Sequence, residues 1–471
     1  MIVARGLTRL QLFMMCFGAI VGVGWITILG QWLSLAGPGG SVVALVAGAA
    51  AMLVVASGYG LLARTNRLTD GGEIGAVTHA LGPASAFVVT AALTLACVSI
   101  VAFEAVSAGW IAVTLFPQVE GPVLYRVFGH DVHFGTAAIA LIGTAVIAGL
   151  NLRSISGTAR TQNSIVFLKL AVTAVFCVAG FVNGTPGNWL PLVPHSDPTA
   201  DSSAIAGILT VLATMPLWFA GFHVIAILSP ERDSSVPIAA VGRVMYAAIV
   251  AACLFYVCVV LAASHVVPWQ TLISAPLPAA AAFREGFSSS TLANLVLTSG
   301  LLGICSAWIA CFAAAVRVLN VLRQQLRASP VIAVAWQREA APGVGQRETA
   351  PRVGPTSLHL GPPTLVIAVT AAILSLAGRA ALVPIVNVAA LCFGVVYMFV
   401  SIVAWRHAEG PVQRYRSGLG VCVAAFMAAY VLFSAVEAGG WMAPELVVTV
   451  SWVFLGALSW LFRSKEIVHA T

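Results

Sequence analysis

Apolar residues in this chain neither alternate nor keep to one face of a 3.6-residue period; they fill whole segments of about 18 or more residues. At the helical rise of roughly 1.5 Å per residue, each such segment can cross a hydrocarbon layer about 30 Å thick. Polar or Pro/Gly-rich breaks separate the runs and predict helices near 11–35, 39–63, 83–115, 136–152, 163–183, 204–228, 239–266, 290–316, 364–378, 382–405, 419–438 and 444–462. Numbered in order as spans 1 to 12, they predict an all-α membrane protein with twelve transmembrane helices.

Composition agrees and excludes a soluble enzyme: of 471 residues, 60% are AVILMFWYC and 8% are charged, against roughly 25% charged in a soluble domain. The first run has a basic start at Arg5 and Arg9, as a signal peptide would. It continues past Gly30 and more runs follow, so a first span is expected rather than a cleaved leader. The net charge of +7 becomes informative once the 23 Lys and Arg are placed on this topology. With both termini inside, 19 fall on the cytoplasmic side, only Arg126, Arg284 and Arg379 fall outside, and Lys169 lies within span 5. That asymmetry predicts the orientation, with cytoplasmic termini, and explains the charge without a nucleic-acid partner; the expected setting is a bacterial-type inner membrane.

The nine cysteines all lie in apolar stretches with no metal spacing, so they read as small packing residues, and no cofactor or metal is expected. His130-Asp131-Val132-His133 in an outer loop reads as a solvated turn rather than a metal site. A polar segment at about 326–363 joins spans 8 and 9 and is too short and polar for a domain. Trp110, Trp189, Trp269, Trp405, Trp441 and Trp460 fall near span ends, where the ring suits the headgroup layer.

Two spans break their own pattern. Span 1 reads Gly18-Ala-Ile20-Val-Gly22-Val23-Gly24-Trp25, and each mid-helix glycine costs about 1 kcal/mol relative to alanine. Gly18 and Gly22 also form a GxxxG, so close helix packing competes with a helix interruption. Span 6 reads Pro216-Leu-Trp218-Phe219-Ala220-Gly221-Phe222-His223, and an interruption there frees backbone groups that protein, ligand or ion must satisfy. The breaks open two blocks of five spans, 1–5 and 6–10; five is odd, so the second block enters the membrane inverted. Paired interruptions in inverted halves point to a transport site at the midplane.

These residues resemble a known family. Gly18 through Trp25 is similar to the first-helix glycine motif of the amino acid, polyamine and organocation (APC) transporter superfamily. Trp218 to His223, ending in Pro230-Glu231, resembles its sixth-helix Gly-Phe motif, and Gly71-Gly72-Glu73 with Gly82 resembles its loop after helix 2. The resemblance covers roughly residues 7–410. It implies a LeuT-type 5+5 inverted repeat, with residues 1–190 as the first repeat, 191–410 as the second and 411–471 as a peripheral helix pair with the tail. On that pattern, amide groups beside Gly22, Val23 and Gly24 hold a substrate carboxylate, carbonyls around Ala220, Gly221 and Phe222 hold its amino group, and Ile20 and Trp218 complete the substrate-binding set. Where many relatives carry Asp or Glu after the Gly-Phe pair, this chain has His223.

Few titratable groups lie inside the spans, and each is costly there unless paired or functional. Lys169 is about nine residues, roughly 13 Å, from the cytoplasmic end of span 5. It either snorkels toward the interface or, as the resemblance implies, takes the place of sodium, ties span 1 to span 8 and releases a proton during the cycle. Glu104 lies roughly 9 Å below Trp110, where it recognises a cationic amine, carries a proton or makes a helix-to-helix hydrogen bond. His223 lines the site, shuttles protons or caps freed carbonyls. Trp218, Phe219 and Phe222 form either an aromatic gate or plain core. Trp308, Ser306 and Asn387 are weaker site candidates.

The expected function is a permease for an amino acid or related amine, coupled to a proton and embedded in the lipid bilayer. An antiporter or polyamine/amino-alcohol carrier is the second reading, and a non-transporting nutrient sensor a remote third. An intramembrane enzyme is disfavoured, because its catalytic groups would have to converge and the few present are scattered.

Overall fold

A computed structural model describes residues 7–68, 72–152, 159–194, 204–227, 232–275, 277–327 and 362–468. Within them the chain is nearly all helical, and 9 helices are long and apolar enough to cross a membrane. Shorter apolar helices at Ala204–Ala213, Pro362–Ser375 and Pro444–Trp460 fall where spans 6, 9 and 12 were predicted. The polar segment 328–361 and the Pro230-Glu231 pair lie outside the described residues.

Local chemistry sets the helix ends. Thr8 and Gln11 form a reciprocal capping box that starts span 1 at Arg9. Pro83 and Pro411 open spans 3 and 11 at a helical position that needs no amide hydrogen. Between spans 1 and 2, Gly37 leaves the helical region at the Gly37-Pro38 pair, inside the helix Leu29–Arg64. Hydroxyls within spans bond to carbonyls of their own helix, as Thr90 does to Ala86 and Thr144 to Ala140, so their polarity costs little in lipid.

Spans 3 and 10 form the centre. In each, 78% of the most apolar window is buried, against 28% in span 11. Span 3, Pro83–Leu115, packs on spans 8, 10 and 4, whereas spans 4, 5 and 11 turn Val146, Val178, Phe433 and similar side chains outward. An apolar exterior of this extent is the expected face toward lipid.

Several predicted boundaries shift. Span 8 runs Ser290–Arg327 and so outlasts its apolar run, because Leu, Arg and Gln beyond 316 are strong helix formers. Glu73 is not in a plain loop: it is buried in the first turn of a helix, Gly72–Leu81. The 130–133 turn belongs to a two-stranded hairpin, β1 (Val123–Val127) and β2 (His130–His133), closed by an Arg126–Asp131 ion pair. That guanidinium's hydrogen bond holds the Asp131 carboxyl below its usual range. Among the described residues no group of His, Cys, Asp and Glu could hold a metal. Trp269 is too buried to serve as a headgroup anchor, whereas Trp189 is half-buried. Trp189 stacks on His265, and Trp269 is buried and donates to the Pro191 carbonyl.

Candidate functional site

Span 1 stops being helical after Ile20 and resumes at Gly24. Span 6 is helical over Ala204–Ala213, makes one turn at Met215–Trp218 and resumes at Phe222. The two interruptions meet. Gly221 has φ +117°, and a Cβ there would run into the backbone of Ala19 and Ile20, so only glycine fits the crossing. Gly24 is packed for another reason: a methyl on it would overlap the ring of Trp218.

Side chains from other spans reach into the crossing. Lys169 of span 5 is buried, and its ammonium donates to the Val21 carbonyl freed by the span-1 break. Its stem lies along Gly303 of span 8, so it is turned inward rather than toward the interface. Glu104 of span 3 comes from the opposite side, where a methyl on Gly22 would stand 3.9 Å from its Oε1. Glu104 and Lys169 are thus both buried beside the span-1 break. Glu104 Oε2 is buried and has no hydrogen-bond partner among the described residues, and the same holds for Ser107 Oγ and Thr27 Oγ1. A polar atom left unpaired in an apolar interior is expensive, so Glu104 Oε2 beside the span-1 break is open to a partner.

Backbone groups complete it. The Ile20 carbonyl accepts the Gly22 amide at 3.1 Å. Val23 and Gly24 open the resumed helix, where the first amides have no carbonyl one turn earlier. Ala220 donates to the Leu217 carbonyl, and Val224 to that of Gly221.

Above the crossing, Trp218 stands edge-on to Trp32 at 5.5 Å and to Phe103 at 6.0 Å, with its indole nitrogen donating to Thr214 at 3.0 Å. Phe222 and His223 face elsewhere. Phe222 is fully buried against Tyr59 and Tyr397, and the His223 ring lies among Tyr59, Phe393 and Tyr397. His223 Nδ1 accepts the Gly221 amide at 3.4 Å, with the Tyr397 hydroxyl 3.5 Å away. Tyr59 in turn donates to Glu73 at 2.6 Å.

Two weaker candidates do not belong to the crossing. Trp308 lies against Gly143 of span 4, and Asn387 donates to Glu445 at 2.9 Å and so ties span 10 to span 12. The side chain of Ser306 lies outside the described residues. Sequence reasoning passed over Tyr256 of span 7, whose hydroxyl reaches both Ile20 O and Trp218 O. The signal was available: a phenol in mid-span must find a partner.

Apolar helices of this length packed around two interrupted spans define a multi-pass integral membrane protein. The chain belongs to the amino acid permease family, whose sequence profile matches residues 7–462; this is a family of permeases, not of enzymes. It is similar to the methylthioribose transporter of Bacillus subtilis (strain 168), at 24% identity over 327 residues, covering 67% of this chain and 66% of that protein. It is also similar to the branched-chain amino acid permease BcaP of the same organism, at 23% identity over 332 residues with coverage of 67% and 66%. The chain thus spans about 66% of the length of the curated relatives it matches.

Proposed function

We propose that this protein is a secondary active transporter that moves an amino acid or related amine across the cytoplasmic membrane by alternating access, coupled to protons. The observation that carries the reading is the crossing itself. Two interrupted spans touch backbone to backbone at Gly221, and a buried lysine occupies the freed Val21 carbonyl. Helix interruptions facing each other in mid-membrane expose both backbone donors and acceptors, which suit the two ends of an amino acid.

In this reading the chain has twelve spans with both termini inside: residues 1–190 and 191–410 are inverted LeuT-type repeats, and 411–471 is a peripheral pair with the tail. The amides at Gly22, Val23 and Gly24 hold the carboxylate, while Ile20 and the Trp218–Phe222 backbone hold the amino group. Lys169 and Glu104 are the coupling groups. Protonated, Lys169 holds Val21 and balances Glu104; after losing its proton it releases both, and the span-1 break is free to move. His223 stands beside this machinery, with its ring among Tyr59, Phe393 and Tyr397.

A second reading, an exchanger or a carrier for polyamines or amino alcohols, is favoured by the unpartnered Oε2 of Glu104, which suits a second cationic or hydroxyl donor. The two relatives are named for different cargoes, methylthioribose and branched-chain amino acids. The shared backbone frame therefore leaves the choice of substrate to side chains such as Glu104.

The test is uptake into proteoliposomes with an imposed pH gradient, using labelled neutral, acidic and basic amino acids, putrescine and ethanolamine, for wild type and Lys169→Ala. Saturable uptake of one class, driven by the gradient and weakened in the variant, supports the proton-coupled permease. Exchange from preloaded vesicles that ignores the gradient would replace it with the exchanger, and sodium-driven uptake indifferent to an uncoupler would overturn the ion.

A further inference from the structure

Span 10 ends at Arg406 and span 11 begins at Pro411, and where the two helices meet the protein opens outward, away from the crossing. The opening is a groove of about 620 Å³, lined among others by Trp405, Glu409, Arg414, Tyr415, Gly418 and Cys422. Positions 414, 418 and 422 recur every four residues, so they form one stripe along span 11, and at the helical rise the stripe is roughly 12 Å long. Gly418 keeps it deep: the Trp405 ring lies over this position, 3.6 Å from where a Cβ would stand. The groove therefore has a polar mouth, aromatic walls and an apolar floor. In the proposed topology its mouth lies at the cytoplasmic face of the bilayer.

The charges at the mouth define its occupant. Glu409 and Arg414 line the same groove, yet among the described residues they form no ion pair with each other or with another side chain. Glu409 uses its amide, which donates to Gln413 Oε1 at 3.2 Å, and Arg406 is turned to the Ala80 carbonyl at 2.8 Å. One acid and one base held apart at a single opening complement a zwitterion better than an anion, which would meet the Glu409 carboxylate as a like charge. We infer that the groove is a binding site for an ethanolamine phospholipid: Arg414 takes the phosphate, Glu409 takes the primary ammonium, and an acyl chain lies along Gly418 and Cys422. A guanidinium matches phosphate oxygens in a fork, and an ammonium offers N–H donors that a choline headgroup lacks. The exposed rings of Trp405 and Tyr415 suit the headgroup layer between them.

Cys422 is exposed in the groove and reports on what fills it, with the exposed Cys305 of span 8 as a reference for coverage by detergent and bulk lipid. In the delipidated full-length protein, alkylation of both by N-ethylmaleimide is followed by peptide mass spectrometry as phosphatidylethanolamine, phosphatidylcholine or phosphatidylglycerol is added. Phosphatidylethanolamine should protect Cys422 relative to Cys305 at a lower lipid fraction than either of the others. Arg414→Gln should raise the fraction needed by about tenfold, the scale of one charge-assisted bond. Glu409→Gln should do the same for phosphatidylethanolamine and leave phosphatidylglycerol no weaker. Both residues are exposed, so the variants should fold. Equal protection by the three lipids, protection by phosphatidylglycerol at the lowest fraction, or no effect of Arg414→Gln would overturn the inference. Protection that rises with protein concentration in lipid-free detergent would also overturn it, by giving the groove to a second copy of the chain. No uptake is measured, so the lipid site and the transport reading stand or fall separately.

Discussion

The interruptions in spans 1 and 6 look alike in sequence, but the protein surrounds them with different chemistry. The span-1 break is met by polar side chains from three other spans: Lys169 on Val21, Glu104 beside Gly22 and Tyr256 on Ile20. The span-6 break is boxed by rings, with Trp32 and Phe103 around Trp218, and Tyr59, Phe393 and Tyr397 around Phe222 and His223. The ionisable groups Lys169 and Glu104 therefore gather at span 1, and packed rings at span 6. The two breaks are linked by Gly221 against Ile20, by the Trp218 ring against Gly24 and by the Tyr256 hydroxyl that reaches a carbonyl of each.

The largest expected effect strikes the charged side of that contrast. Lys169→Ala strips the buried Val21 carbonyl of its charged donor and empties the space beside Gly303, a loss of about 2–5 kcal/mol. Thermal unfolding in detergent should show it, and adding Glu104→Gln should restore part of the loss. Independent effects in the double variant would mean that the two groups do not share the break.

Next is a pair of glycine substitutions. Gly24→Ala drives a methyl into the Trp218 ring and should cost about 1–3 kcal/mol, whereas Gly22→Ala meets only Glu104 Oε1 at 3.9 Å and should cost under about 1 kcal/mol. Equal melting temperatures for the two would undo the difference drawn between the breaks.

A smaller change is expected in selectivity. Glu104→Gln keeps the shape and removes the charge, so putrescine should lose roughly tenfold as a competitor of uptake relative to valine, the scale of one charge-assisted bond. Unaltered competition would take Glu104 out of recognition.

The ring box holds one effect comparable to that of Gly24→Ala and the smallest effect of all. Tyr59→Phe leaves the buried Glu73 carboxylate without a 2.6 Å donor and should cost about 1–3 kcal/mol in stability, with little change in substrate affinity. Tyr397→Phe removes only a 3.5 Å contact with His223 and should cost under about 0.5 kcal/mol. A large transport defect from Tyr397→Phe would show that span 6 also handles protons.

Much of the fold was legible because a bilayer leaves few options: an apolar run of sufficient length must be a helix, and helices do lie over the predicted runs. The breaks were legible for the same reason, since glycine pairs and a mid-span proline violate what lipid prefers. Trp308 and Asn387 misled, because an unusual residue in a span announces that it needs a partner without saying which; theirs proved to be packing against Gly143 and a bond to Glu445. Tyr256 was missed for the converse reason, as a tyrosine in an apolar run looks like one more large ring.

The sequence by itself determined the class of protein, the course of the spans and the two places where helix gives way, because these follow from local hydrophobicity and backbone propensity. Only the tertiary structure decided that Lys169, Glu104 and Tyr256, which lie 65 to 152 positions apart along the chain, address the same few peptide groups. It also turned His223 toward Tyr397 and Tyr59. Which freed carbonyl meets which distant side chain depends on how the helices pack, and helix packing is a property of the assembled bundle rather than of any one span.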